Sequence, residues 1–347
     1  MKIYYILAAL IAILALQGCN RAQIVDPEDP ANTPESGAYV LSEGSFSPGT
    51  ATLSFYSFDD ASFTRDIFNP GSLGLFPDGL LVDGNFLYVT EQGNFNSAGK
   101  IYKLDTGGTV RATTLFGLNP YSVAEANDKL YITNGPGGYV TVLNKDDLTQ
   151  ITTITVGVYP QEILSSNNRI YVCNTSEFQG AQDSTVTVID SFTDNVIRTL
   201  TVQKDPSSFA VTNAGNILIG CPGQDGMIFM VDLFTFQKTD SFNVFGGFGS
   251  DIAVDRTSDN IYFISNDNNI VRLNLVTGTS NRVVTNSNPG AKFFYGYNYN
   301  YETGEHYVLN AKNFAVNGAL EIYTSSGGIR AIYETGIAPK RVVFKYN

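Results

Sequence analysis

Short apolar segments recur along most of the chain, and each is followed by a polar turn. Residues 138–143 (GYVTVL) and 184–189 (STVTVI) alternate apolar and small polar positions, as strands with one more deeply buried face do. Asn144 and Asp190 follow these two segments directly, and both residue types favour turns. The pattern predicts many short strands joined by turns.

These segments belong to an internal repeat. Each unit begins at Pro or Gly, continues through an apolar stretch and reaches a strand of the form aromatic-apolar-x-Asn, as in residues 130–134 (LYITN) and 170–174 (IYVCN). The units start at positions 77, 120, 160, 206, 249 and 289, and a further unit starts at Pro339. A period near 40 to 45 residues with about four strands in each unit predicts a β-propeller.

The two ends of the repeat region complement each other. Residues 339–347 supply only the first strand of a unit, whereas residues 38–43 resemble a second strand that lacks a first one. Residues 52–56 and 63–68 provide the remaining two strands. We therefore expect an all-β, seven-bladed propeller over residues 38–347, whose last blade is closed by the N- and C-terminal strands and leaves no open sheet edge.

The N-terminal residues predict an export signal. Lys2 precedes an apolar stretch over residues 3–16, which is short for a transmembrane helix, and Leu16-Gln17-Gly18-Cys19 resembles a lipobox. This indicates a lipoprotein signal peptide at 1–18 and lipidation of Cys19. An ordinary secretory peptide and an uncleaved anchor are the alternatives. Residues 19–37 are rich in Pro and acidic residues and are expected to form a flexible tether.

Composition narrows the classes of partner. The formal net charge is −12, which argues against nucleic acid and against basic docking on an anionic lipid surface. Apart from Cys19, the cysteines are Cys173 and Cys221. Their strands carry them at positions offset by one residue, which favours two unpaired thiols over a disulfide.

The repeat strands resemble a known family. Residues 88–91 (YVTE), 131–134 (YITN), 171–174 (YVCN) and 307–310 (YVLN) look like YVTN β-propeller repeats. Residues 41–46 and 51–56 are similar to the start of YncE-like, DUF5074-type surface lipoproteins of Bacteroidota. The resemblance implies an outer-membrane lipoprotein that faces either the cell surface or the periplasm. Some relatives of this group capture corrinoids above a TonB-dependent transporter, so such a transporter or another envelope protein is an expected partner.

Aromatic residues mark the loops that should surround the central channel. Phe residues stand among small and polar residues after several second strands, and other aromatic residues stand beside the unit starts. The candidate ligand-binding residues are Phe46, Phe95, Phe178 and Phe314 in the first group, and Phe76, Tyr121, Tyr159 and Phe248 in the second. Aromatic faces combined with amides suit a sugar or another planar ligand. The alternative is that each Phe packs against its own loop.

Acidic and amide residues recur where second strands end. The candidates are Glu43, Glu91, Asn134 and Asn174, with Asn266 and Asn310 at similar positions. Such side chains commonly cap turns by accepting backbone hydrogen bonds. They are also included in the predicted ligand-binding set because the same positions would border the channel mouth.

The sequence gives little support for an enzyme. His306 is the only histidine and is expected at a surface or interblade position, and there is no Gly-x-Ser-x-Gly motif. We therefore predict no catalytic residue, metal or cofactor, although a lactonase or lyase activity stays open. Polar groups near strand starts, Lys340, Arg341, Glu162 and Lys204, would have to supply it. The favoured function is an extracytoplasmic binding protein for a small molecule or glycan, and the alternative is a scaffold for protein partners.

Overall fold

The computed structural model describes residues 36–68 and 73–346. The predicted signal peptide at 1–18, Cys19 and most of the tether at 19–37 lie outside these residues. Within the described ranges no helix is long and apolar enough to cross a membrane. The described chain instead forms 28 strands.

The strands form seven four-stranded antiparallel sheets. Blades 1 to 3 consist of β4 Pro77–Asp83, β5 Phe86–Glu91, β6 Gly99–Asp105, β7 Val110–Phe116; β8 Pro120–Ala126, β9 Lys129–Asn134, β10 Tyr139–Asn144, β11 Gln150–Thr155; and β12 Pro160–Ser166, β13 Arg169–Asn174, β14 Thr185–Asp190, β15 Asn195–Thr201. Blades 4 to 6 consist of β16 Ser208–Val211, β17 Ile217–Cys221, β18 Met227–Val231, β19 Lys238–Asn243; β20 Phe248–Val254, β21 Asn260–Ser265, β22 Ile270–Asn274, β23 Ser280–Val284; and β24 Phe294–Asn300, β25 Glu305–Asn310, β26 Asn317–Tyr323, β27 Ile329–Ile337. The closing blade consists of β28 Pro339–Lys345, β1 Gly37–Ser42, β2 Thr52–Ser57 and β3 Phe63–Thr64.

The closing blade joins the two ends of the described chain. Its strand order is β28-β1-β2-β3, and Val40 of β1 pairs with Val342 of β28. The first strand of each blade is innermost, and neighbouring inner strands contact each other around the ring. The predicted seven-bladed propeller and its closure by both termini are thus confirmed.

Tyrosines of the second strands link each blade to the next. Tyr39, Tyr88 and Tyr131 are fully buried. Their hydroxyls donate to the carbonyl oxygens of Thr106 at 2.9 Å, Lys145 at 3.3 Å and Ser191 at 3.0 Å, respectively. Each acceptor follows the third strand of the neighbouring blade. The aromatic position of the repeat therefore fills the interblade core and satisfies its hydroxyl at the far side of that core.

Other predictions about single core residues are also confirmed. Cys173 and Cys221 are free and buried, and burial raises the pKa of the Cys221 thiol to about 12. His306 is fully buried between blades 5 and 6, where its Nδ1 lies 2.8 Å from the hydroxyl oxygen of Tyr297. Burial lowers the pKa of His306 to about 4.

Candidate functional site

The site lies on the face where the inner strands begin. Pro77 pairs with Glu91, and the same pairing joins Pro120 to Asn134 and Pro160 to Asn174. The loops leading into the inner strands and the loops following the second strands therefore meet on one face, as expected. We call it the loop face, and we call the opposite face, which carries the turns between third and fourth strands, the turn face.

Irregular pairing at the start of the inner strands places polar groups at the channel. The register shifts between Pro77 and Leu80, between Pro120 and Val123, and between Pro160 and Ile163. The residues in between leave the regular ladder, as bulged residues do. In six of the seven inner strands these positions hold Asp78, Tyr121, Glu162, Asp251, Tyr295 and Lys340, among others.

An ion-pair network connects several of these side chains. Lys340 Nζ lies 3.0 Å from Glu43 Oε1 and 2.9 Å from Asp78 Oδ2. Arg341 Nη2 lies 2.8 Å from Asp78 Oδ1. Burial alone would raise the pKa of Asp78, but the two cations outweigh this effect and hold its pKa below the ordinary value. Asp78 therefore remains ionised at neutral pH although it is almost completely buried.

Arg341 reaches across the channel. Its guanidinium also donates to the carboxylate of Glu162 on β12, which is separated from β28 by the inner strands of blades 1 and 2. The same network satisfies Glu43, which accepts a hydrogen bond from the hydroxyl of Tyr295 at 3.0 Å. Both cations of the network are thus engaged by carboxylates before any ligand arrives.

Asp251 has a different environment. It lies on β20, it is partly exposed, and its backbone has a positive φ of 52°. Burial raises the pKa of Asp251 to about 7, and Glu162 acts in the same direction, whereas Arg341 and Lys340 oppose the shift. Its carboxyl group is therefore close to half protonated at neutral pH and can either donate or accept a hydrogen bond.

A cavity of about 360 Å³ opens beside these groups. Its polar lining includes Glu162, Ser250, Asp251, Asn266 and Asn268. Lys340 and Arg341, which belong to the network described above, also line it. This volume lies at the small end of the range for small-molecule sites.

Aromatic side chains form one wall of the cavity. Phe293 and Tyr295 line it, and Phe314 packs against both, with ring centroids 5.4 Å from Phe293 and 4.9 Å from Tyr295. Phe293 and Phe314 are each 42% exposed. Of the aromatic residues predicted from the sequence, Phe314 is thus the one that supports this wall, while Phe293 and Tyr295 were not predicted.

The remaining predicted aromatics are distributed over the loop face. Phe46, Phe95 and Phe178 project from their loops with exposures of 91%, 76% and 92%. Phe46 also makes an edge contact with Phe76, at 5.3 Å between ring centroids. None of these four side chains lines the cavity.

Three further predicted aromatics occupy inner-strand starts. The hydroxyls of Tyr121 and Tyr159 lie 2.9 Å apart, so these two rings hold each other in place at the channel mouth. Phe248 is fully buried and packs against Phe263. Phe248 takes the strand-start position that Pro occupies in other blades, where it pairs with Ser265. Because its side chain is buried there, it has no surface left for a ligand.

Apart from Glu43, which belongs to the ion-pair network, the predicted residues at second-strand ends accept hydrogen bonds from backbone groups. Glu91 accepts from Leu75 N–H at 3.2 Å, Asn134 from Leu118 N–H at 2.9 Å, and Asn174 from Gly157 N–H at 3.1 Å. Each donor belongs to the loop leading into the inner strand of the same blade. These side chains therefore fix the leading loops that surround the channel, which is the capping role considered for them.

Across residues 36–68 and 73–346, no group of three His, Cys, Asp or Glu side chains is placed to hold a metal ion. The network described above is instead satisfied by Lys340 and Arg341.

Comparison with known proteins identifies the family. Residues 36–331 match the family described as a domain of unknown function, DUF5074. The chain belongs to the DUF5074 family. A search of proteins with curated descriptions finds no significant match.

Solved structures similar to this DUF5074 protein share its fold. A quinonprotein alcohol dehydrogenase-like protein from Bacteroides thetaiotaomicron aligns with a TM-score of 0.69 and 14% identity, over 90% of this chain and 78% of that one. A Bacteroides fragilis protein provisionally named a 6-phosphogluconolactonase aligns at 0.65 and 11%, over 92% and 100%. The periplasmic gluconolactonase of Pseudomonas aeruginosa aligns at 0.65 and 13%, over 89% and 98%. At these identities the likeness establishes the propeller fold, and it transfers no activity.

Proposed function

We propose that this DUF5074 protein is a binding protein that captures a small, uncharged, hydroxyl-rich molecule, such as a sugar or the end of a glycan. The observation that supports this proposal is the loop-face cavity, whose lining combines the aromatic side chains of Phe293 and Tyr295 with the polar side chains of Asp251 and Asn266. An aromatic wall favours the apolar face of a sugar ring, and the Asn266 amide and the Asp251 carboxyl group can bond its hydroxyls.

The charges around the cavity favour an uncharged ligand over an anionic one. Lys340 and Arg341 are the cations of the cavity lining, and both are already paired with Asp78, Glu43 or Glu162. A phosphate or carboxylate ligand would have to displace one of these carboxylates and leave it buried without a partner, which is costly. Phosphorylated and acidic sugars should therefore bind more weakly than their neutral counterparts.

The proposed setting is the outside of the cytoplasmic membrane. The lipobox at Leu16-Gln17-Gly18-Cys19 supports a lipid anchor on Cys19, and the family resemblance favours the outer membrane. In this setting the captured molecule would be passed to an outer-membrane transporter of the TonB-dependent class.

A ligand screen tests the proposed binding. Neutral sugars, amino sugars and their phosphorylated or carboxylated counterparts are added to the full chain, and hits from thermal shift are measured by calorimetry. The Phe293→Ala variant should lose about tenfold in affinity for a neutral hit because one aromatic face is removed. Phe192→Ala, which removes an exposed ring from the turn face, is the control and should bind normally.

Two results of the screen would contradict the proposal. One is stronger binding of phosphorylated than of neutral sugars. The other is a neutral hit whose affinity is unchanged by Phe293→Ala.

A protein scaffold is the second candidate, supported by a separate observation. Phe46, Phe95 and Phe178 are largely exposed at loop tips outside the cavity, and exposed aromatics are common at protein interfaces. A pull-down with the C-terminally tagged chain from native membranes distinguishes the candidates. A partner that is lost from a Phe46→Ser/Phe178→Ser variant but retained by Phe293→Ala would favour the scaffold.

A further inference from the structure

The turns between third and fourth strands in blades 2 to 5 share one construction. Asp190 Oδ1 accepts from the N–H groups of Phe192 and Thr193 at 3.0 and 2.9 Å. Asp232 and Asn274 make the corresponding pairs of bonds in blades 4 and 5, and Asn144 does so in blade 2. The same turn therefore projects the residue two positions after the acceptor outwards in each of these blades.

In three consecutive blades that projected residue is apolar. Phe192, Phe234 and Val276 are 67%, 75% and 75% exposed. In blade 2 the equivalent residue is Asp146, so the turn itself does not require an apolar side chain. We call Phe192, Phe234 and Val276 the apolar arc. Apolar side chains exposed at the same turn position in three consecutive blades are not required by the turn and are available for contact with another surface.

The apolar arc lies on the face from which the N-terminal segment leaves the propeller. Gly37 pairs with Ser57 at the start of β1, and Ser36 accepts a hydrogen bond from Phe58 N–H at 3.0 Å. Phe58 opens the turn between the third and fourth strands of the closing blade. The segment that contains Cys19 therefore joins the domain at the turn face, opposite the cavity.

We propose that the apolar arc rests in the surface of the lipid bilayer that holds the Cys19 anchor, so that the loop face and its cavity point away from the membrane. This inference rests on the proposed lipid anchor. Three exposed side chains give only a weak and reversible contact by themselves. The anchor makes this contact intramolecular, since it keeps the turn face at a high effective concentration near the bilayer.

The length of the intervening segment fits a reversible contact. Positions 20–35 provide sixteen residues between Cys19 and Ser36, which span at most roughly 55 Å when fully extended. The domain can thus rest on the bilayer while it collects ligand and lift away from it to meet a transporter. The apolar arc stabilises the first of these two states, in which the domain rests on the bilayer and its cavity points away from the membrane.

Tryptophan fluorescence tests this orientation without interference, because the chain contains no Trp. Phe192→Trp and Phe234→Trp are made singly in the full chain, purified with the anchor from native membranes and reconstituted in vesicles containing brominated lipids. We expect emission to fall about twofold in both variants, since both side chains would reach the depth of the bromine atoms. Phe178→Trp, on a loop tip of the opposite face, is the matched control and should not be quenched.

Every other outcome overturns the proposal. If the chain floats with the vesicles but neither arc variant is quenched, the anchor stands and the contact does not exist. If Phe178→Trp is quenched instead, the loop face is the face turned to the bilayer. If the chain does not float with the vesicles, both the anchor and the contact that depends on it are wrong, while binding of sugars at the cavity is unaffected.

A second set of variants separates lipid contact from a folding defect. Phe192→Asp and Phe234→Asp each introduce the residue type that blade 2 carries at the same position of the same turn, so folding should be retained. Phe192→Asp is combined with Phe234→Trp, and Phe234→Asp is combined with Phe192→Trp. In each double variant, quenching of the Trp should be about twofold weaker than in the single Trp variant. Unchanged quenching would show that the Trp inserts alone, which contradicts a shared arc.

Discussion

At the scale of single residues, Asp251 and His306 carry opposite pH dependences. Burial raises the pKa of Asp251 to about 7 and lowers that of His306 to about 4. Asp251 lies on the cavity wall, whereas His306 is enclosed by Tyr262, Tyr297 and Tyr299. The first shift concerns the site, and the second concerns the interblade core.

Asp251→Asn should alter the pH profile of stability. Between about pH 4 and 7 the folded chain retains a proton on Asp251 that the unfolded chain has released, so this group lowers the free energy of unfolding as pH rises. Relative to the parent chain, the variant should gain about 1 kcal/mol between pH 5 and pH 8, a reduced figure because the carboxyl group is partly exposed. Urea unfolding at several pH values measures the gain, and a pH-independent difference would contradict it.

His306→Gln should have the reverse effect in acid. The unfolded chain protonates this histidine below its ordinary pKa, whereas the folded chain does so only near pH 4, so stability is lost as pH falls through this window. The variant should remove a loss on the order of 2 kcal/mol between pH 6.5 and 4. The slope of the unfolding free energy against pH is the readout, because the substitution also changes packing; an unaltered slope would show that His306 is not responsible.

At the scale of strands and loops, the repeat predicts where most strands and their capping residues lie. The β-bulges at the inner-strand starts determine which side chains face the channel, and the repeat does not predict them. The inner strands of blades 1 to 3 begin at the predicted unit starts Pro77, Pro120 and Pro160. The capping role of Asn134 and Asn174 follows from their place at strand ends. Periodicity assigns each residue of a strand to one of two faces, but a register shift moves the following residues out of that assignment. The one signal in the sequence that could have located the ion-pair network is the set of charged residues one or two positions after a unit start, such as Asp78, Glu162 and Arg341.

The aromatic residues show the same limit. Phe248 stands beside a unit start, as Phe76 does, yet it begins the strand and is buried, because the strand starts one residue before the predicted unit. Phe293 and Tyr295 follow Pro289 at a distance that the other units do not share. Their place on the cavity wall depends on how the leading loop of blade 6 folds, and this cannot be obtained from spacing.

The capping amides provide a prediction about loop order. Asn174→Ala should lower the free energy of unfolding by about 1–3 kcal/mol, since Gly157 N–H loses its buried acceptor. Asn266→Ala is the control, because this side chain is exposed and lies in the corresponding region of blade 5. Equal effects of the two substitutions on urea unfolding would mean that the hydrogen bond from Gly157 N–H to Asn174 makes no specific contribution to the free energy of unfolding.

At the scale of the whole molecule, two kinds of interaction close the ring, namely strand pairing in the closing blade and ion pairs across the channel. The strands β28 and β1 join its two ends, and Lys340 and Arg341 on β28 bind carboxylates from the closing blade and from blades 1 and 3. The closure could be predicted from the incomplete units at the two ends. The network across the channel could not, because it joins residues that are distant in sequence and are brought together only by the curvature of the ring.

Arg341→Met should therefore destabilise the whole propeller. Glu162 and Asp78 would lose a cation that holds them, and breaking a buried pair from one side costs about 3–5 kcal/mol. Arg272→Met, which removes an exposed guanidinium from the outer part of blade 5, should change stability by less than about 0.5 kcal/mol. Comparable losses in both variants would contradict a structural role for the network.

The most direct test of ligand capture is a probe within the cavity wall. Phe293→Trp places a single tryptophan there, and its emission is followed while a neutral sugar from the screen is added. We predict a saturable change that is absent from Phe178→Trp, whose ring stands outside the cavity on the same face. A response of equal size in both variants, or none in Phe293→Trp at concentrations that saturate the calorimetric binding, would show that the loop-face cavity is not the binding site.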